Sequence, residues 1–329
     1  EEVYRLYGIS DVDRRAIEAE LAEPAAEGEE ADEKEADYID DEELALRWIS
    51  YAVGIVMGRF QPDGGLGQGR FSQPVAAQLR SLADNDGVAV LDEGHQDDLA
   101  GKVHQALELA LGEAGASEVI SAALGDGDPE KLLRSYLERD FWKRHLQQYR
   151  KRPVYWLLQS PAKSFSVYVF HERATRDTLP LIMGTRYASG KINQLKNRMD
   201  EVRTEIKAAE GRARKRLEKE LDDIESQLLD LEAFEAAIRR VLEQKNERGE
   251  TAGWAPEIDD GVILNLAPLW ELMPSWKEPE KFWKELEEGK YDWSYTAMRY
   301  WPERVLEKCR NNKSYAIAHD RLDVYEGGK

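Results

Sequence analysis

From Lys191 to Gln244 the apolar residues recur three and four apart, and no other stretch narrows the choice of fold so far. Ile192, Leu195, Met199, Val202, Ile206 and Ala209 make one seam, Gly211 interrupts it, and Leu217, Leu221, Ile224, Leu228, Leu231, Phe234 and Ile238 resume it. That period belongs to a helix whose apolar stripe is covered by another helix. Two arms about a break predict an antiparallel coiled-coil hairpin over 189–246. At ~1.5 Å per residue its shorter arm reaches about 30 Å. One unbroken helix is the alternative, because a lone glycine costs only about 1 kcal/mol. An ordinary pair of core helices is a third. Continuous charge on the outer faces favours a protruding arm.

The flanking sequence supplies the remainder of a fold. Residues 1–22 read as an amphipathic helix capped by Ser10, with Ile17 and Leu21 on one face. Residues 23–42 carry eleven acids against Lys34 and read as a solvated linker, with an electrostatic mimic of DNA as the alternative. Residues 43–188 mix helices with β-type segments. Leu44, Trp48, Tyr51, Ala52 and Ile55 share a helix side; a glycine-rich loop follows from Gly58 to Phe71. Val88–Leu91 suits a short strand, Asp97–Leu111 a helix, and Asp128-Pro129 the start of another that runs towards His145. Pro153–Leu158 and Phe165–Phe170 are rich in Val, Tyr, Trp and Phe and form the best β pair, joined by Ser160–Ser164. Residues 247–329 hold six tryptophans, with helices expected at 278–288 and 294–309 and a kink or helix start at Pro302. They are expected to pack on the mixed region. The class expected is α+β, mostly helical.

Composition excludes several kinds of chemistry. One cysteine, Cys309, rules out a disulfide framework within the chain and fits a reducing cytoplasm. No apolar run approaches the roughly 20 residues that span a bilayer. The chain opens on Glu1, so it is expected to begin inside a longer protein. Val88-Ala89-Val90-Leu91-Asp92-Glu93-Gly94-His95 has the look of an ATPase's magnesium-binding strand end. That chemistry also needs a phosphate-cradling G-x-x-x-x-G-K-[ST] loop, and the chain has none. Asp92, Glu93, His95, Asp97 and Asp98 form a candidate Mg²⁺-nuclease cluster, but Asp97 and Asp98 also suit a helix N-terminus, and no metal ligand set is assigned. The five histidines and one cysteine lack zinc-finger spacing.

A net charge of −19 means that any contact with DNA must be local. The candidate is the acid-free run Lys143–Arg152, which contains Lys143, Arg144, Arg150, Lys151 and Arg152 and leads into Tyr155 and Trp156. Lys163 and Arg173 lie on the adjacent hairpin. Basic side chains interleaved with aromatics suit phosphate contact and base stacking. The alternative is a basic helix face paired with the acidic linker.

Several strings taken together resemble the C-terminal region of large bacterial adenine-specific DNA methyltransferases, the PglX type of BREX phage-defence systems and related restriction-modification enzymes. They are Trp-Ile-Ser-Tyr-Ala-Val-Gly at 48–54 with Gly58-Arg59-Phe60, Leu91–His95 with Asp97-Asp98-Leu99, Tyr149–Pro161, Asp177-Thr178-Leu179, Asp259–Asn265, Tyr291-Asp292-Trp293, Trp301–Val305 and Ser314–His319. The resemblance runs through nearly the whole chain. It implies a parent enzyme that methylates adenine in double-stranded DNA with S-adenosylmethionine, holding a flipped base on an Asn-Pro-Pro-Tyr or Asp-Pro-Pro-Tyr loop. Neither loop is present, nor is a glycine-rich cofactor loop of that type. No catalytic or cofactor-binding residue is therefore assigned, and the chain alone is expected neither to bind the cofactor nor to methylate. The role expected is DNA engagement, specificity or spacing. A scaffold that docks other defence-system subunits and an embedded nuclease are the alternatives.

Overall fold

The structure is a computed structural model that describes Arg15 and residues 40–62, 71–83 and 85–327. The expected N-terminal helix apart from Arg15, the acidic stretch before Asp40 and most of the glycine-rich loop lie outside the described residues.

Helix α1 (Asp41–Val56) begins where Asp40 accepts from the Glu43 amide at 2.7 Å, and three acids in its first turn favour the positive helix end. Helix α2 (Gln73–Leu82) and strand β1 (Val88–Val90) follow. Helix α3 (Leu99–Leu124) is capped by Asp98 and breaks at Gly112, whose φ of 78° and ψ of 164° are open to glycine and strained for other residues. The periodicity that predicts a helix only as far as Leu111 thus stops at a real discontinuity. Helix α4 (Pro129–Gln148) starts at Asp128, which accepts from the Lys131 amide at 3.0 Å. Helices α1, α3 and α4 pack in succession.

Strands β2 (Tyr155–Gln159) and β3 (Ser166–Phe170) form the expected hairpin, and β1 joins the far edge of β3, giving an antiparallel sheet of order β1-β3-β2. Every strand residue is buried, so the sheet is covered on both faces. Tyr168 donates to the Leu137 carbonyl of α4 at 2.7 Å from one face, and Trp156 meets Trp254 edge-on from the other. The mostly helical α+β class is what the structure shows.

Helix α5 (Thr178–Met183) leads to α6 (Ala188–Ala208), and α7 (Gly211–Glu243) returns after a two-residue turn. Partners near the root join the start of α6 to the end of α7, Ser189 with Glu235 and Lys196 with Glu232, and those nearer the turn join its second half to the first half of α7, Arg198 with Glu220 and Arg203 with Glu225. The arms are therefore antiparallel. Ile192, Leu195, Val202, Leu217, Ile224, Leu228, Leu231, Phe234 and Ile238 of the seam are buried. The base of α7 joins the main core, where Phe234 touches Phe165.

The C-terminal segment comprises α8 (Gly261–Leu266), α9 (Glu278–Glu287), α10 (Tyr295–Tyr300), α11 (Pro302–Asn311) and α12 (Lys313–Ala318). Pro302 starts a helix, so the segment expected as 294–309 is two helices meeting at Trp301. Trp254 and Trp276 belong to the main core, while Trp283 centres a second apolar cluster with Leu286, Tyr300 and Val305.

Candidate nucleic-acid interface

The last turn of α4 sets the site. Its chain end bends back on itself: Lys151 donates its amide to Leu146 at 2.7 Å, and Arg150 and Lys151 both have positive φ, 48° and 62°. Left-handed backbone disfavours a side chain by roughly 1–2 kcal/mol per residue, so two in succession are a local strain that the fold must hold. His145 holds it from below. This buried imidazole accepts at Nε2 from the Val154 and Tyr155 amides, at 3.0 and 3.1 Å, tying the turn to β2. Burial, with the nearby Arg59 charge, pushes its pKa down to about 3, so the ring is neutral.

Lys143, Arg150 and Lys151 emerge on one side of α4. There they meet Lys277 and Lys281 at the start of α9, across a groove of about 850 Å³ floored by Leu146 and Trp276. Five cations face one acid, Glu278, which pairs with Lys151 at 2.6 Å. In a chain of net charge −19 this is a local reversal of sign. Lys143 also lies 3.2 Å from Asp140, an exposed pair worth little. Sequence reasoning missed Lys277 and Lys281. Their spacing of four on the amphipathic α9 was the available signal, hidden because that segment was read for its tryptophans.

The other expected residues are dispersed. Arg144 points to the opposite side of α4, where it reaches both carboxylate oxygens of Glu43 at 2.6 Å. Its hydrogen bond, with that of Arg47, lowers the Glu43 pKa. Arg59 lies over the Phe60 and Tyr149 rings in the same cleft. Arg152 is exposed on the turn but does not line the groove. Lys163 stands at the far end of the β hairpin, about 16 Å of strand away from the turn. Its loop is clasped by Asp230 of α7, which accepts from the Ala162 and Ser164 amides at 2.7 and 3.1 Å. Arg173 donates to the Gly58 carbonyl at 3.0 Å and fills the space where a Cβ on Gly58 would sit, so it buttresses a loop. Tyr155 and Trp156, expected as stacking faces, are 2% and 1% exposed and pack on His145 and Trp254. The apolar run that follows the basic residues forms β2, an edge strand buried on both faces, and its rings offer no face to a base.

Of the acids at 92–98, Asp92, Asp97 and Asp98 are engaged by a cation or a helix end. Asp92 pairs with Lys191 at 2.5 Å, and Asp98 caps α3 while taking both Arg134 nitrogens at 2.6 and 2.7 Å. Burial alone would raise the Asp97 pKa, but hydrogen bonds from Arg186 and Lys102 hold it at about 2. Among the described residues no group of three or more His, Cys, Asp or Glu gathers as a metal site. No helix among them is long and apolar enough to cross a membrane.

No family model matches the chain. Among curated proteins it is similar to the adenine-specific methyltransferase BrxX of Escherichia coli O9:H4 (strain HS), 29% identical over 247 residues, 68% of this chain and 20% of that protein. It is also similar to the adenine-specific methyltransferase PglX of Lacticaseibacillus casei (strain Zhang), 25% identical over 233 residues, 67% of this chain and 19% of that protein. The chain is thus a relative of methyltransferases of the type its sequence resembles, and it spans about a fifth of their length.

Proposed function

We propose that this relative of BrxX and PglX is a non-catalytic DNA-engaging region of an adenine-specific methyltransferase, acting in phage defence or restriction-modification. In this reading a catalytic part elsewhere in the parent supplies S-adenosylmethionine chemistry, and this chain holds double-stranded DNA in the cytoplasm. The groove between α4 and α9 carries the reading: five cations from segments over a hundred residues apart converge in an acidic chain. Their long side chains suit phosphates, which position a duplex without reading its sequence. The N-terminus of α9 at the same groove adds favourable dipole for an anion.

The test is the salt dependence of DNA affinity for a Lys143→Gln, Arg150→Gln, Lys151→Gln variant. If each cation neutralises one phosphate, the slope of log affinity against log salt flattens by about 3. The loss is expected to be equal for specific and non-specific duplexes. A folded variant with unchanged affinity and slope would refute the groove as a DNA contact.

Docking of other defence-system subunits is a second reading. It is favoured by the exposed Ile258, Trp293, Tyr295, Ile317 and Leu322 of the C-terminal segment. The embedded nuclease has less support, since three of the acids named for it, Asp92, Asp97 and Asp98, are already paired with cations.

A further inference from the structure

The turn between α6 and α7 carries a second reversal of charge. Residues 207–219 hold six cations, Lys207, Arg212, Arg214, Lys215, Arg216 and Lys219, against two acids, Glu210 and Glu218. All six cations are exposed. Arg214 pairs with Glu218 at 2.8 Å; among the described residues no ion pair engages the other five. Towards the root of the arms the charge is balanced, with Arg198 bonded to Glu220 and Arg203 to Glu225 across the pair. The excess is therefore confined to the tip.

Its placement opposes helix stability. Arg212, Arg214, Lys215 and Arg216 fall in the first six residues of α7, whose first turn has no acid. That end of a helix carries the positive pole of the macrodipole, where cations are unfavourable. Acids open α1 (Asp41, Glu42, Glu43), α4 (Glu130), α9 (Glu278, Glu280) and α11 (Glu303), and the lysines in fourth place of α3 and α6 are paired, Lys102 with Asp97 and Lys191 with Asp92. A local rule broken at one exposed place, with only the Arg214–Glu218 pair to offset it, marks a site kept for contact.

We infer that the hairpin tip is a second phosphate-backbone contact for duplex DNA, separate from the groove and carried away from the core on about 30 Å of helix. This rests on the DNA reading above. The tip cations take successive phosphates, and the arm fixes how far along the duplex they fall.

The experiment compares the unsubstituted 329-residue chain, a tip variant (Arg212→Gln, Arg214→Gln, Lys215→Gln, Arg216→Gln) and the groove variant above. Each is titrated with duplexes of about 10 and about 30 base pairs, one and three helical turns. The tip variant is expected to bind the long duplex more weakly, with a salt slope flatter by 3 to 4, and the short duplex unchanged. Because the substitutions remove an unfavourable charge–dipole interaction, its Tm is expected to rise, which excludes unfolding as the cause of lost affinity. Unchanged binding of the long duplex overturns the inference while a defective groove variant leaves the DNA reading standing. Equal loss on both duplexes overturns the separateness of the two contacts. A chain that binds neither duplex overturns both readings. If DNA binding is unchanged, retention of polyglutamate by the unsubstituted chain and not by the tip variant assigns the tip to an acidic protein instead.

Discussion

His145 shows how one side chain joins fold and site. Its Nε2 accepts the Val154 and Tyr155 amides where β2 begins, which requires the neutral ring, and its pKa is pushed down to about 3. In the unfolded chain it titrates near the ordinary ~6.5. Between these values the unfolded state binds a proton that the fold excludes, so stability is full above about 6.5 and falls as the pH drops towards 3. A single group contributes at most about 1.4 kcal/mol per pH unit. His145→Gln keeps an acceptor for the amides and removes the titration. Urea unfolding at pH 7 and pH 5 is expected to show the unsubstituted chain losing about 1–2 kcal/mol more than the variant over that interval. Parallel losses in the two proteins would show that His145 does not carry this dependence. Asp97 works in the opposite sense and much lower: its depressed pKa stabilises the fold above the ordinary carboxylate range, and that contribution is lost as the pH falls through about 2.

At the scale of elements, the hairpin of α6 and α7 was the most legible part of the chain, because a 3–4 period over both arms has few other solutions. Its antiparallel sense can be checked by cross-linking. Arg203→Cys with Glu225→Cys replaces a pair whose side chains meet at 2.9 Å, and the native Cys309 is buried. A flexible bis-maleimide is expected to join the two thiols within monomeric protein; joining only between molecules would contradict the antiparallel pairing. The β hairpin was legible for a similar reason, since β-branched and aromatic runs flank a Ser-Pro loop. What failed was the use made of it. The same aromatic run can be a stacking surface or a buried strand, and periodicity alone does not separate them. Tyr155 and Trp156 lie in a sheet covered on both faces, a property of its neighbours α4 and Trp254 that local sequence does not carry. The third strand, β1, was recognised as a strand, but its place beside β3 depends on contacts across some 80 residues.

At the scale of the whole molecule, the groove exists only because two distant segments are locked together. Its α4 side was visible in sequence as a basic run; its α9 side became visible only once Trp276 was seen against Trp142, with ring centroids 5.8 Å apart and planes at 80°. Trp276 directly precedes Lys277 and is 8% exposed, so its packing fixes where the first turn of α9 sits. A change that touches no cation is therefore expected to weaken DNA binding. Trp276→Phe retains an aromatic ring but leaves space beside Trp142; full truncation of a buried Trp costs about 3–5 kcal/mol, and this milder change less. The folded variant is expected to show a lowered Tm and a DNA affinity that moves towards that of a Lys277→Gln, Lys281→Gln variant. Combining all three substitutions is expected to add little to the affinity loss, because they act on the same pair of cations. Full additivity, or a Trp276→Phe variant that binds DNA like the unsubstituted chain, would mean that Lys277 and Lys281 do not work from the position the structure gives them. The DNA contact would then rest on Lys143, Arg150 and Lys151 alone, and its salt slope would be the same whether or not the C-terminal segment is held in place.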